Sequence, residues 1–309
     1  MIRVGVVGAR GHVGSELLPI LFRHPEVEVA WVTSKSAAGT PVQATCAAAP
    51  AGLDFAPASV ELLARRDVDV AFLALPNGEA PAWAEVAGDV TLVDLSSDHR
   101  FDDRWVYAQP DRFRDAIVGS KRLSCPGCYA TAAQLAIAPV ASRARGTVCA
   151  FGVSGYSGAG TTPSERNDPE VLRDNLLPYS LVGHAHEREL RRHLGLDVCF
   201  APHVASFFRG LSCTVMIDLA EKTAAESLVA AYRDAYRGSR FVEVTDAPPR
   251  PRDLVGKHGV RVGLPAVGDD GARVVVVAAL DNLLAGAASQ AVRAMNLARG
   301  LDEGVGVLS

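Results

Sequence analysis

The chain has 309 residues, of which 49% are hydrophobic and 21% charged, and its formal net charge is −4. The length suits about two domains and the composition a soluble globular protein, while the charge excludes the strongly basic character of nucleic-acid-binding proteins. No stretch approaches the ~20 apolar residues of a spanning helix, and no cationic segment precedes the apolar start, so we expect a cytoplasmic protein that contacts neither membrane nor nucleic acid.

The first part of the chain is predicted to form a doubly wound α/β domain. Near-continuous apolar runs alternate with helix-periodic stretches, which is typical of a parallel sheet covered on both faces. The four runs read MIRVGVVGA, VEVAWVTS, VDVAFLALP and VTLVDLSS. We expect a Rossmann-type domain over residues 1–127.

The pattern changes after residue 124. A helix is predicted over YATAAQLAIAPVASRA, with a kink or a break at Pro139. Strand-like runs then follow, mostly without long helices between them, which favours an α+β domain with a mixed sheet over residues 128–284. The last helix, within residues 285–309, is expected to pack back onto the first domain.

A glycine-rich turn joins the first predicted strand to the first helix. Gly8, Gly11 and Gly14 have the spacing G-x-x-G-x-x-G, a variant of the dinucleotide fingerprint. Such a turn brings a pyrophosphate to a helix N-terminus, although the same glycines also suit an ordinary tight turn. The predicted cofactor-binding residues of this turn are Gly8, Arg10, Gly11, His12, Val13 and Gly14.

The cofactor type is predicted from the end of the second strand. An NAD enzyme carries a carboxylate there for the ribose hydroxyls, whereas this chain has Thr33, Ser34 and Lys35. Hydroxyls and a cation favour the 2′-phosphate of NADP; the alternative is an ordinary polar loop.

Cys128 is the predicted nucleophile. It follows Pro126 and Gly127 at a helix start, where the helix dipole lowers the pKa of a thiol. Cys125 stands three residues earlier, and two interpretations stay open for it. It is either an inert filler or a resolving thiol that forms a disulfide with Cys128 after oxidation.

His184 and His186 form an H-x-H pair at the start of another helix and are the predicted acid/base candidates. A zinc site built from this pair and the C-x-x-C is the competing interpretation, and we expect no metal. The loop GVSGYSGAG, together with Arg100 and Arg209, favours an anionic small-molecule substrate.

The motifs together resemble one family over essentially the whole chain. Their order is GARGHVGSELL, TSKSAAG, DLSSDHRF, PGCYATAA, VSGYSGAG, GHAHERE, APHVASFFRG and ALDNLLAGAASQA. This set resembles the N-acetyl-gamma-glutamyl-phosphate reductases of arginine biosynthesis, relatives of the aspartate-semialdehyde dehydrogenases.

The resemblance implies an NADPH-dependent reduction of an acyl phosphate to a semialdehyde, through a thioester on Cys128. It implies acid/base catalysis by His184 more than by His186, and a homo-oligomer built through the second domain. Further cofactor contacts are implied at Ser154, Gly155 and Asn282, and substrate contacts at Ser96, Arg100, Ser157 and Arg209.

The chain departs from the family pattern at Cys125, His99, Ala130 and Thr161, where Asn, Phe, Pro and a basic residue are usual. The alternative within the same chemistry is a reductase for a carrier-protein-linked or otherwise N-modified glutamyl or aminoadipyl phosphate. The alternative of another class is a non-catalytic NADP-binding sensor.

Overall fold

The structure is a computed structural model that describes residues 1–308. The chain divides into two compact units: Met1–Pro126 with the chain from Ala287 onward, and Gly127–Gly286. Among residues 1–308, no helix has both the length and the apolar character needed to cross a membrane.

The first unit contains a six-stranded parallel sheet of order β2-β1-β3-β4-β6-β5. Its strands are β1 (Ile2–Val7), β2 (Val27–Val32), β3 (Val70–Leu73), β4 (Thr91–Asp94), β5 (Val106–Tyr107) and β6 (Arg122–Ser124). The helices between them are α1 (His12–Arg23), α2 (Val60–Ala64), α3 (Ala80–Val86) and α4 (Pro110–Ile117). Every residue of β3 and β4 is buried, as expected for central parallel strands.

The second unit contains a mixed eight-stranded sheet, with β13 paired to β14 beside the path β11-β12-β14-β10-β7-β9-β8. Its strands are β7 (Val148–Gly155), β8 (Leu176–Pro178), β9 (Val198–Ala205), β10 (Leu211–Asp218), β11 (Val242–Thr245), β12 (Val260–Gly263), β13 (Ala266–Val267) and β14 (Arg273–Leu280). Its helices are α5 (Cys128–Ile137), α6 (Pro169–Leu172), α7 (Ala185–Leu194) and α8 (Ala225–Ala235). The two sheets confirm the predicted fold class.

Helix α5 is the central helix of the second unit. Its residues from Tyr129 to Ile137 are all buried, and they pack on the sheet. The α-helix ends at Ile137 and continues as a 3₁₀ helix over Ala138–Arg143, which confirms the predicted break at Pro139. Proline lacks the N–H that an α-helix needs in its interior. Packing of these buried residues on the sheet therefore holds the first turn of α5 in place.

The last helix, α9 (Ser289–Ala298), packs against α1 and α4 within the first unit. The guanidinium of Arg293 lies 2.8 Å from Asp111 and 2.7 Å from Glu303, and all three side chains are largely buried. The His24 ring bonds Asn296 Oδ1 at 3.0 Å. Ionic and polar contacts thus join the end of the chain to its beginning.

Candidate active site

The three glycines of the first turn have three different environments. Gly8 has a φ of +76°, and a Cβ there would lie 2.3 Å from the Ala74 carbonyl oxygen. A Cβ at Gly14 would lie 2.7 Å from the backbone of Ala9, whereas one at Gly11 would meet nothing closer than 3.7 Å. The first and third glycines are required by packing, and the second leaves the backbone open to a ligand, as a pyrophosphate needs.

Two cations lie beside the end of β2. Arg10 is exposed, and its Nη1 donates to Ser36 Oγ at 3.2 Å. The Lys35 ammonium pairs with Glu79 Oε1 at 2.7 Å, and the Lys35 side chain is 67% exposed. Both cations are at the surface beside the end of β2, and they stay the predicted contacts for the 2′-phosphate of NADP. The sequence pattern did not predict the Glu79 partner.

The other predicted residues of this region shape the loop. Thr33 is buried, and its Oγ1 accepts a hydrogen bond from Gly8 N at 3.4 Å. Ser34 Oγ accepts from Ala37 N at 3.1 Å. His12 and Val13 are half-exposed residues that open α1.

Cys128 is the first residue of α5, and Gly127 is its N-cap. Gly127 has extended backbone angles, and its carbonyl accepts from Thr131 N at 2.8 Å. Cys128 is half-buried, and it forms no disulfide with Cys125 or any other cysteine. The sulfur therefore lies at the positive end of the helix dipole, as the sequence predicted.

Cys125, three residues before Cys128, is held by hydrogen bonds within the first unit. Cys125 N donates to the Asp94 carbonyl at 2.8 Å, and the Cys125 carbonyl accepts from Arg100 Nε at 2.8 Å. Arg100, a predicted substrate contact, is itself buried. Burial, and next the nearby Asp94 charge, raise the pKa of the Cys125 thiol. A buried, protonated thiol favours the filler interpretation over the resolving one.

The loop after β4 contains Ser96, another predicted substrate contact. Ser96 N donates to Asp94 Oδ1 at 2.8 Å, and Ser96 Oγ accepts from Asp98 N at 3.1 Å. Asp94 Oδ2 also bonds the His99 ring at 2.7 Å, and that ring stacks on Trp105. Ser96 is thus part of a buried polar loop at the carboxyl edge of the parallel sheet.

A buried carboxylate of the second unit contacts the turn before Cys128. Glu189 Oε1 accepts a hydrogen bond from Gly127 N at 2.9 Å, and Glu189 is fully buried. Sequence reasoning missed this residue, because it lies in a helix crowded with arginines. The sequence feature that could have identified Glu189 is its position on the helix that follows the H-x-H pair.

The two histidines meet at the start of α7. His184 is the N-cap, and its Nδ1 accepts from His186 N at 3.1 Å. Their ring centroids are 4.7 Å apart. The His186 ring lies 5.8 Å from that of Tyr129, which directly follows Cys128, and the His184 ring lies 5.5 Å from that of Tyr179.

The two tyrosines form the apolar side of this site. Burial raises the pKa of both phenols, and the neighbouring Cys128 contributes in the same direction. The Tyr129 hydroxyl donates to the His203 carbonyl at 2.7 Å. The Arg166 guanidinium lies 5.1 Å above the Tyr179 ring and is a cation that sequence reasoning missed. Because burial raises the pKa of Tyr129 and Tyr179, both phenols stay protonated at neutral pH.

The glycine- and hydroxyl-rich loop after β7 is connected to Asn282. Asn282 Nδ2 donates to Ser157 Oγ at 2.9 Å, and Asn282 Oδ1 accepts from Gly210 N at 2.8 Å. Ser154 and Ser157 are buried. A Cβ at Gly155 would lie 2.5 Å from the Phe208 carbonyl oxygen, so this glycine is required by packing.

Arg209 forms an ion pair with Asp281. Its Nε lies 2.8 Å from Asp281 Oδ2, and the two side chains are 18% and 0% exposed. Asp281 also accepts from Gly256 N and Leu283 N. Sequence reasoning named Arg209 and missed the aspartate that orients it.

One further glycine limits the space around the nucleophile. A Cβ at Gly286 would lie 2.7 Å from Cys128 Cβ and 3.1 Å from Leu280 Cδ1.

Among residues 1–308, no group of three or more His, Cys, Asp and Glu side chains could hold a metal ion.

Comparison with known proteins identifies the family. Residues 3–120 match the family described as semialdehyde dehydrogenase, NAD binding domain, and residues 128–282 match semialdehyde dehydrogenase, dimerisation domain. The N-acetyl-gamma-glutamyl-phosphate reductases of Xanthomonas oryzae pv. oryzae and Stenotrophomonas maltophilia are each 45% identical to this chain, over 97% of its length and 96% of theirs. The chain belongs to the N-acetyl-gamma-glutamyl-phosphate reductase family. It is therefore an oxidoreductase with a nicotinamide-cofactor domain, which confirms the resemblance and the predicted cofactor class.

Solved structures agree on the fold. Aspartate semialdehyde dehydrogenase II of Vibrio cholerae matches with a TM-score of 0.78 and 18% identity, over 96% of this chain and 98% of that one. Aspartate semialdehyde dehydrogenase of Candida albicans, solved with NADP, matches with a TM-score of 0.72 and 16% identity, over 97% and 99%. At these identities the likeness shows the fold that the reductase family shares with its relatives.

Proposed function

We propose that this chain reduces N-acetyl-gamma-glutamyl phosphate to its semialdehyde with NADPH, as a cytoplasmic homo-oligomer in arginine biosynthesis. The observation that carries the proposal is Cys128 at the first residue of α5, directly before Tyr129, whose ring contacts that of His186 in the histidine pair. The names of the relatives supply the substrate, and the match to a dimerisation domain supports the oligomer.

Cys128 would act first. Its thiolate attacks the acyl-phosphate carbonyl carbon, the C–O bond to phosphate breaks, and a thioester forms on the sulfur. The positive end of α5 stabilises the thiolate that this step requires. When bound, NADPH supplies the hydride that reduces the acyl group.

The histidine pair would move the protons. His184 Nδ1 is used by the backbone of His186, so proton exchange with the reacting sulfur and oxygen falls to His184 Nε2. Tyr129 and Tyr179, kept neutral by burial, border this ring pair and exclude water.

The first unit would hold the cofactor. The open backbone at Gly11 fits a pyrophosphate, and Arg10 with Lys35 fits the 2′-phosphate that separates NADPH from NADH. Ser154, Gly155 and Asn282 stay the proposed contacts of the second unit for the nicotinamide end. Ser96, Arg100, Ser157 and Arg209 stay proposed substrate contacts.

The test follows phosphate-dependent NADP reduction with N-acetylglutamate semialdehyde as substrate. Cys128→Ser should lose at least ~10³-fold in turnover, since a hydroxyl is a much weaker nucleophile at neutral pH. Cys199→Ser is the matched control, because Cys199 is a half-buried thiol of the same unit and should keep its activity. Lys35→Glu should weaken NADP more than NAD.

The outcomes separate the alternatives. Activity only with a carrier-linked or longer semialdehyde would replace the proposed substrate and keep the chemistry. No turnover with any semialdehyde, together with a slow-reacting Cys128 thiol, would replace the enzyme with a cofactor-binding sensor.

A further inference from the structure

We propose that Glu189 is a positioning residue that sets both the place and the acidity of the Cys128 thiol. The inference rests on the proposed function, since it assigns Glu189 a part in the reaction of Cys128. It starts from one contact: the fully buried carboxylate accepts the Gly127 amide hydrogen at 2.9 Å, one residue before the nucleophile.

The contact fixes the backbone that aims the sulfur. Gly127 is the N-cap of α5, so its φ and ψ determine where the helix begins. A buried amide hydrogen needs an acceptor, and a glycine in an unheld turn has many conformations to choose from. Glu189 supplies the acceptor from α7, the helix that opens with the two histidines. One side chain therefore links the nucleophile turn to the helix of the acid/base pair.

The contact also places the negative charge of Glu189 at the helix end where the Cys128 thiolate forms. A carboxylate is costly to bury unless something stabilises it, and the N-terminus of α5 provides a positive partial charge. The Cys128 thiolate uses the same end of the same helix. Two negative charges at one helix terminus oppose each other, so Glu189 raises the pKa of the thiol above the value that the helix alone would give.

The experiment compares three variants in the full-length protein. Glu189→Gln keeps an acceptor oxygen and removes the charge, whereas Glu189→Ala removes both. Glu187→Gln is the matched control: Glu187 is a buried carboxylate of the same helix, but it accepts from Phe200 N, a strand amide, at 3.1 Å. The readouts are kcat, KM and the pH dependence of Cys128 alkylation by iodoacetamide, with the labelled peptide identified by mass.

Glu189→Gln should move the midpoint of the alkylation profile down by about one pH unit, as expected when a nearby like charge is removed. Glu189→Ala should lower kcat by roughly 10²-fold with KM within a few-fold, because a small displacement of a reacting group costs that much. Glu187→Gln should keep the wild-type midpoint.

An unchanged midpoint in Glu189→Gln, or the same shift in Glu187→Gln, overturns the proposal even where Glu189→Ala fails to fold. A wild-type kcat in Glu189→Ala overturns it as well. Alkylation reports the thiol directly and does not depend on turnover. Failure of the proposed function would instead be seen as retained activity in Cys128→Ser.

Discussion

At the scale of single residues, the absence of a side chain at Gly286 determines the space that Cys128 has. Gly286 lies in a π-helical turn over Leu284–Ala288, and Gly286 N donates to the Asp281 carbonyl five residues earlier at 3.0 Å. Its Cα faces the Cβ of Cys128 so closely that no side chain fits. A π-turn is a frequent device at functional sites, and here it brings the backbone against the nucleophile.

We predict that Gly286→Ala displaces the Cys128 side chain. The new Cβ would lie 2.7 Å from Cys128 Cβ and 3.2 Å from its Cα, neither of which is the flexible end of a side chain. Turnover should fall roughly 10²-fold, because misplacement of a reacting atom by about 1 Å has that effect. Steady-state kinetics and the rate of Cys128 alkylation measure it.

The control for this change is Gly268→Ala. A Cβ at Gly268 would meet its nearest neighbour at 3.5 Å, an ordinary contact, and the residue lies between β13 and β14. It should leave both rates unchanged. Wild-type turnover in Gly286→Ala would show that the nucleophile tolerates the extra methyl group.

At the scale of elements, the register of two parallel strands brings two thiols together. Cys149 of β7 is the register partner of Cys199 of β9, and their sulfur atoms are 3.0 Å apart. Burial, and next the hydrogen bond with Cys149, raise the pKa of Cys199 to about 11. A slip of one residue in either strand would turn the two sulfurs to opposite faces of the sheet.

This register predicts a specific crosslink. Mild oxidation with diamide should join Cys149 to Cys199, because thiols of paired residues lie within disulfide reach. Peptide mass mapping before and after reduction identifies the bond, and Cys199→Ser should abolish it. If the peptides that contain Cys149 and Cys199 are still recovered separately, each with an alkylated thiol, after diamide treatment, the register is contradicted.

At the scale of the whole molecule, the chain ends in the unit where it begins, and a histidine is part of that closure. Burial lowers the pKa of His24 from 6.5, and the hydrogen bond with Asn296 opposes this only in part. The unfolded chain therefore binds a proton at His24 more readily than the folded unit does. The contribution of His24 is fully present above about pH 6.5 and is lost as the pH falls through the folded value.

We predict that the first unit becomes less stable as the pH falls below about 6.5, and that His24→Gln removes part of this slope. All three tryptophans, Trp31, Trp83 and Trp105, belong to the first unit, so urea unfolding followed by tryptophan fluorescence reports it. His258→Gln, in the second unit, is the control and should keep the slope. The same slope in His24→Gln and wild type would assign the pH dependence to another group.

The sequence by itself determined the parallel and mixed sheets, the break at Pro139, the cofactor turn and the place of Cys128 at a helix start. Each of these depends on residues that are close along the chain: alternation, helical spacing, glycines at a turn, a proline in a helix. It did not predict β5 and β6, because two and three residues are too short to show a period.

Only the tertiary structure decided what surrounds the nucleophile. Glu189 reaches Gly127 across 62 positions of sequence, and Gly286 meets Cys128 from the far end of the second unit. Lys35 gains Glu79 as a partner in the same way. The physical reason is that burial and hydrogen bonding join residues by their position in space, and local periodicity carries no information on which distant side chain fills a given turn.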